Sequence, residues 1–346
     1  MVTSEAVAAH ARTLGFDRCG VAPATALPEL DRIHDWLARG HAGEMRYLAR
    51  SAGTRADIRR FLPSAQSVIV TATRYDAGRP PGAGTPAIAR YAQGRDYHLV
   101  LAERLQRLLD WMREEAGAPF EAAIFVDKHH VQERVFAAYA GLGFIGKHSL
   151  LIDPELGSWM LLGGLACALP LEPGTPIADQ CGACTLCLDA CPTGAIVEPR
   201  EVDARRCLSY LTIELEGPIP EPLRPSVGPH LFGCDVCQEV CPFNFAPAPT
   251  TDPAWQPQAG RDHPDPVALW QRPDDGLHAL VAGSAMTHTS LSRLRRNLAV
   301  AIGNTGDAEA IAALDRPGDG VRNAAHSAEA PVVRDAVRWA KSRAPR

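Results

Sequence analysis

Residues 181–192 read CGACTLCLDACP and residues 234–242 read CDVCQEVCP, with one further cysteine, Cys207, between the two runs. Eight of the chain's ten cysteines fall in this window. Thiols at that density form disulfides, bind zinc or hold iron–sulfur clusters. Disulfides suit small oxidised scaffolds, whereas this chain has 346 residues and opens on Met1-Val2-Thr3-Ser4-Glu5 without a hydrophobic leader. Zinc ribbons close one tetrahedron with paired Cys-x-x-Cys knuckles. Three thiolates at two-residue gaps instead wrap three corners of one cubane, and the next cysteine, followed by proline, turns away to ligate a different cluster. On that wiring Cys181, Cys184, Cys187 and Cys241 hold one [4Fe–4S] cluster, and Cys191, Cys207, Cys234 and Cys237 hold the other. Two such clusters deliver electrons singly, at potentials that usually lie well below zero.

The rest of the composition bounds the setting. A chain of 346 residues has room for two or three domains, and 46% hydrophobic content suffices for real cores. No run approaches the roughly 18 apolar residues of a membrane span, and the first residues carry neither a basic region nor a twin arginine. The expectation is a soluble, cytoplasmic protein without a membrane partner, where thiolates stay reduced and open to iron. A formal net charge of −5 makes no global case for nucleic acid. Residues 291–346, however, hold ten Lys/Arg against six Asp/Glu, a local +4 that leaves −9 on the remainder. A basic tail fits a polyanionic partner, and fits a solvated helical face equally well.

Ahead of the cysteines, apolar spacing predicts helices over 4–14, 29–39, 99–115 and 131–142 and strands over 19–22, 67–72 and 120–126. Their alternation argues for an α/β domain. Residues 78–86, rich in Gly and Pro, read as a loop, and 170–176 as an exit linker. Beyond Pro242 a proline-rich connector is expected to drape over the other parts. The last sixty or so residues turn helical: LRRNLAVA from Leu294 is echoed by VRDAVRWA from Val333, with a weaker copy, VRNAA, at Val321. That spacing fits HEAT-type helix pairs, and a plain helical cap is the simpler alternative.

Two short motifs invite other chemistry. Gly141-Leu142-Gly143-Phe144-Ile145-Gly146 matches a dinucleotide fingerprint by letter, but it follows a helix where the fingerprint must precede one, so it reads as a tight turn before a strand at 149–152. Asp127-Lys128-His129-His130 suggests a metal site, yet ungrouped histidines are more often structural or solvated. Asp127 stands apart, because a carboxyl at the C-terminal end of a strand points into the crevice where α/β folds bind ligands; a helix N-cap is the competing role. Cys19 and Cys167 read as small buried hydrophobes.

Together these features resemble the epoxyqueuosine reductase family of tRNA-modification enzymes. Beyond the cysteines the likeness includes Arg55 ahead of Leu62-Pro63 and Ser67-Val68-Ile69, then Arg90-Tyr91, Gly94-Arg95-Asp96-Tyr97-His98, Val126-Asp127 and Gly141 to Lys147. It continues through Gly157-Ser158-Trp159, Cys191-Pro192-Thr193-Gly194-Ala195, Arg206 to Thr212 and Gly233-Cys234-Asp235. His129-His130 and His148 depart from the residues usual in that family. The resemblance implies a cobalamin-binding α/β (α+β) domain over 1–172, a ferredoxin-like double-cluster domain over 173–246, and a linker with a HEAT-like helical domain over 247–346. It implies Asp127 as general acid, with a pKa raised by burial against the corrin. Arg55, Ala89, Asp127, Leu151, Leu162, Ser209, Asp235 and Val236 are implied to line the corrin. The expected activity is reduction of epoxyqueuosine to queuosine in the anticodon arm of tRNA, by a monomer fed by an external low-potential electron donor. Arg293, Arg295, Arg296 and Arg334 are the candidate phosphate contacts. A cobalamin-dependent reductive dehalogenase and a non-catalytic ferredoxin-type carrier are the alternatives; the first lacks its usual twin-arginine leader here, and the second predicts no corrin.

Overall fold

The computed structural model describes residues 2–78, 87–316 and 330–344. The first part carries α1 (Ser4–Thr13), β1 (Arg18–Pro23), α2 (Arg32–Ala38), α3 (Arg46–Ala56), β2 (Ser67–Arg74), α4 (Tyr97–Ala116), β3 (Ala122–Phe125), α5 (Glu133–Tyr139), the short strands β4 (Phe144–Ile145) and β5 (Leu151–Ile152), and β6 (Met160–Cys167). Four of the strands form one sheet in the order β1-β2-β6-β3, every pair antiparallel. The architecture is therefore mixed α and β with an antiparallel sheet, which corrects the crevice argument for Asp127, since that rule belongs to open parallel sheets.

The strand that decides this, β6, has little sequence signal because Gly163 and Gly164 interrupt it. Packing demands the second glycine: a Cβ at Gly164 would lie 2.1 Å from the Ile69 carbonyl oxygen and 2.6 Å from the Phe125 ring. Alternation along β2 sends its side chains to opposite faces. Ile69 packs with Val7 and Ala11 of α1 and with Leu101, Leu105, Leu108 and Met112 of α4. Val68, Val70 and Ala72 pack with Val135, Phe136 and Ala137 of α5. Helices thus cover both faces of the sheet. Residues 29–39, expected as one helix, divide into a 3-10 turn, Pro28–Asp31, followed by α2, and Pro28 stands at the turn's first position.

After β6 the chain is short helices and loops: α6 (Leu186–Asp189), α7 (Leu208–Ile213), α8 (Arg224–Val227) and α9 (Val236–Glu239). The C-terminal part holds α10 (Pro266–Trp270), α11 (Asp274–Val281), α12 (Leu291–Thr305), α13 (Ala308–Ala312) and α14 (Pro331–Ser342). Residues 204–232 share one core with these last helices, including Leu208, Leu211, Val227, Phe232, Leu294, Leu298 and Val333. The proline-rich connector does drape: Trp255 enters the core of α1 and α4, and Arg261 donates to the Gly94, Leu280 and Ala282 carbonyls. The weak repeat at Val321 and residues 79–86 of the expected loop lie outside the described residues.

Two of the expected phosphate contacts are instead core residues. Arg295 and Arg296 are both 0% exposed. Arg295 pairs with Asp274 at 2.8 Å, donates to the Trp270 and Arg272 carbonyls and lies over the Trp270 ring. Arg296 donates to the carbonyls of Leu211, Leu215 and Gly217 and to Asn297 Oδ1. A basic run on a helix reads as a surface, but these guanidiniums satisfy carbonyls that the irregular 211–217 segment leaves without partners. Arg296→Met should therefore destabilise the protein by about 3 kcal/mol or more, since several buried acceptors lose a charged donor. Denaturant unfolding followed by circular dichroism would measure it, and a loss below about 1 kcal/mol would refute this role.

Candidate active site

The site is built where α4 begins. Asp96 caps the helix: its Oδ1 accepts the His98 backbone N–H at 3.0 Å and lies 2.7 Å from His98 Nδ1. One carboxylate thus starts the helix and orients the imidazole. The other ring nitrogen, Nε2, is 3.1 Å from Asp127 Oδ2, and the Tyr97 hydroxyl donates to the same oxygen at 2.7 Å. Tyr97 and His98 stack at 4.0 Å. Asp127 sits just after β3 with φ 42, in the left-handed region that non-glycine residues seldom adopt. Strain of that kind clusters at functional sites. The competing N-cap role is not observed, because Gln132 holds that position at α5.

Asp127 is 62% exposed at its side chain, against 11% for His98. Burial of the surrounding cleft pushes its carboxyl up, but the hydrogen bonds from His98 and Tyr97 outweigh that push and hold it at about 2. Tyr97 is driven well upward, by burial first and then by the charge of Asp127. Tyr91, half-buried against the Tyr97 and Phe232 rings, is raised by burial and by the charges of Asp127 and Asp235. Tyr47, 40% exposed, is raised by burial and by the charges of Glu214 and Asp127. Sequence reasoning gave Tyr47, Tyr91, Tyr97 and His98 no role. Only Asp96 carried a legible signal, a helix-capping residue followed by aromatic and imidazole side chains.

The residues expected to line the corrin fall into two groups. Asp235 is buried and accepts the Arg90 backbone N–H at 2.8 Å; burial raises its carboxyl to about 7. Ala89 lies against Gly233, where an added Cβ would stand 2.6 Å from the Ala89 methyl, and Val236 begins α9. Arg55 ends α3, its Nε on Ser51 Oγ at 3.0 Å and its Nη1 on the Val131 carbonyl at 3.4 Å. Leu151 and Leu162 belong to the core beneath α5. Ser209 is partly exposed in the first turn of α7, beside Cys207. His129 is bonded through Nδ1 to the Val126 backbone N–H and meets Phe61 edge-on, a structural role.

The eight thiols divide by their effect on one another. Cys187 is raised to about 11, by burial and then by Cys181, Cys241 and Cys184. Cys234 is raised to about 12, by burial and then by Cys207, Asp235 and Cys191 among its neighbours. Cys237 goes up through burial and the charges of Cys234 and Cys207. Cys187 also acts on Cys237, so the two groups adjoin. Among the described residues no three ligating side chains converge as a single ion would need, a test that a larger four-iron core does not have to meet. Backbone N–H groups already point at sulfur, as Ala195 does to Cys191 at 3.2 Å. Lys147 clamps the first run by donating to the Gly182 and Cys184 carbonyls. A thiol set raised by mutual repulsion and flanked by amide donors fits a cluster that would neutralise it.

Residues 180–244 match the 4Fe-4S double cluster binding domain, and residues 55–128 match the family described as epoxyqueuosine reductase QueG, DUF1730. The chain is 42% identical over 324 residues to the epoxyqueuosine reductase of Gloeobacter violaceus, covering 90% of this chain and 99% of that one. It is 37% identical over 338 residues to that of Xanthomonas campestris, covering 95% and 93%. A crystal structure of epoxyqueuosine reductase with an epoxyqueuosine-modified tRNA-Tyr stem loop superposes with a TM-score of 0.87 at 29% identity, over 98% of this chain and 89% of that one. With such relatives along nearly its whole length, the chain belongs to the epoxyqueuosine reductase family.

Proposed function

We propose that this chain reduces epoxyqueuosine to queuosine in tRNA, with Asp127 delivering protons to the departing oxygen. The observation that carries the residue assignment is Asp127 itself: a carboxyl held in a strained turn, open to solvent, and tied to an imidazole that a second carboxylate orients. The family's activity, and the relative that holds a modified stem loop, support the substrate. Three parts fit the reading: a catalytic part over 1–172, a double-cluster part over 173–246, and a linker with a HEAT-like helical part over 247–346. The packing of α12 on α14, where Gly303 meets Ala340, supports a stacked helix pair. The protein would act as a cytoplasmic monomer with an external low-potential electron donor.

Removing the epoxide oxygen as water and leaving an alkene takes two electrons and two protons. When bound, the two clusters supply electrons singly and a corrin supplies a strong nucleophile or reductant at carbon. Arg55, Ala89, Asp127, Leu151, Leu162, Ser209, Asp235 and Val236 would hold the corrin. The chain's own residues manage the protons. Asp96 fixes the imidazole of His98, and the hydrogen bonds from His98 and Tyr97 hold the Asp127 carboxyl low against the push of burial. As the oxygen leaves beside Asp127 Oδ2, which the Tyr97 hydroxyl holds in place, that carboxyl passes it one proton and, recharged from the solvent to which its side chain is open, the second that completes water. Of the expected tRNA contacts, Arg293 on α12 and Arg334 on α14 stay in this reading as phosphate contacts, because Arg295 and Arg296 are buried.

Asp127→Asn should lower turnover about 100-fold or more while iron content and cobalamin uptake stay normal; near-normal queuosine formation from modified stem loop would refute the acid. His98→Phe removes one of the hydrogen bonds that hold the Asp127 carboxyl down. The Asp127 pKa should then rise from about 2 towards the ordinary carboxylate value of about 3.9; NMR titration of the carboxyl reads it, and an unmoved value would sink the pair. Affinity for the stem loop should drop steeply with added salt as phosphate contacts release counterions, so a flat response would exclude the arginine contacts.

A further inference from the structure

Glu133, His148 and Ser149 lie beside this acid and take no part in the chemistry above. Glu133 opens α5, and His148 with Ser149 forms the turn from Gly146 to Leu150 that joins β4 to β5. Glu133 Oε1, His148 Nε2 and Ser149 Oγ are all buried, and none makes a hydrogen bond. Arg134, next to Glu133 on α5, fastens the turn: its Nη1 donates to the Ser149 carbonyl at 2.9 Å, and its charge acts on Asp127, Glu133 and His148 alike. A buried polar atom left without a partner is costly. Three of them on α5 and on the turn fastened to it call for a shared explanation.

Their chemistry narrows what they would receive. Burial raises Glu133 to about 8, with the charge of Asp127 adding to it, so near neutral pH it is mostly a carboxylic acid with a proton to donate. His148, 4% exposed, is lowered to about 4 by burial and by Arg134, so its ring is neutral. Its Nδ1 accepts the Leu150 N–H at 3.2 Å, which leaves the hydrogen on Nε2. Ser149 is held at φ 68, another left-handed position, with its hydroxyl able to donate or accept. An anion here would face the charge of Asp127, and a cation would be desolvated beside Arg134. The match is a neutral group that both donates and accepts hydrogen bonds.

We infer that Glu133, His148 and Ser149 form a polar pocket beside Asp127 for such a neutral group, either a carboxamide arm of the corrin or the vicinal hydroxyls of the modified base. The pocket rests on the reading of the preceding subsection. Its test compares Glu133→Leu, Glu133→Gln, His148→Phe and Ser149→Ala with wild type. Cobalamin affinity is titrated by absorbance in the absence of RNA, and KM for the modified stem loop is measured at saturating cobalamin; cluster absorbance and thermal melting verify folding. A loss of about tenfold or more in cobalamin affinity for Glu133→Leu and His148→Phe, largely restored in Glu133→Gln, identifies the carboxamide. A comparable rise in KM with cobalamin affinity unchanged identifies the hydroxyls. Should Glu133→Leu fail to fold, His148→Phe and Ser149→Ala carry the same comparison. Folded variants with wild-type affinity and KM overturn the pocket and leave these atoms to internal water. A wild-type chain that takes up no cobalamin and converts no stem loop overturns the underlying reading as well, so the two failures are distinguishable.

Discussion

One strap, residues 87–98, ties the second cysteine run to the side chains that hold Asp127. At its start Ile88 bridges Phe232, and the Ala87 carbonyl accepts the Leu231 and Phe232 N–H groups. The Arg90 N–H meets the buried carboxyl of Asp235, which stands between Cys234 and Cys237. At its end Asp96 caps α4 and orients His98. Backbone groups buried this deeply must be paired, so the cysteine turn cannot shift without disturbing the strap. Arg90 adds a second fastening, lying over the Trp159 ring at 4.3 Å while it pairs with Asp76. The spacing between the second cysteine run and Asp127 is therefore set in part by the pairing of one short segment.

How much of this could be read from the sequence follows from the range of each interaction. The double-cluster segment was legible because the spacing of neighbouring ligands on a chain is a local constraint, and residues 180–244 match a 4Fe-4S double cluster binding domain. α4 was legible because its apolar face repeats at helical spacing. β6 was not, because Gly163 and Gly164 are dictated by neighbours distant in sequence, Phe125 and Ile69 among them. Missing that strand is what turned an antiparallel sheet into an apparent α/β alternation. Arg295 and Arg296 misled for the same reason. Nothing near them in sequence reveals that carbonyls from Leu211 to Gly217 need their donors. The left-handed turn at Asp127 is likewise imposed by its surroundings, and no residue type announces it.

The two carboxyls of the cleft show how surroundings divide labour between like groups. Asp127 and Glu133 each feel the other's neighbourhood, and burial pushes both upward. The outcomes differ because donors differ: Asp127 receives hydrogen bonds from Tyr97 and His98 and falls to about 2, whereas Glu133 Oε1 receives none and rises to about 8. Titratable groups driven apart in this way mark opposite roles. The low one accepts from two donors. The high one, left without a donor at Oε1, is neutral near pH 7 and adds no charge beside Asp127. Were both ionised, the two carboxylates would repel and each would push the other's pKa up. Like groups on neighbouring elements are thus set apart by the donors each receives, with burial acting on both in the same direction.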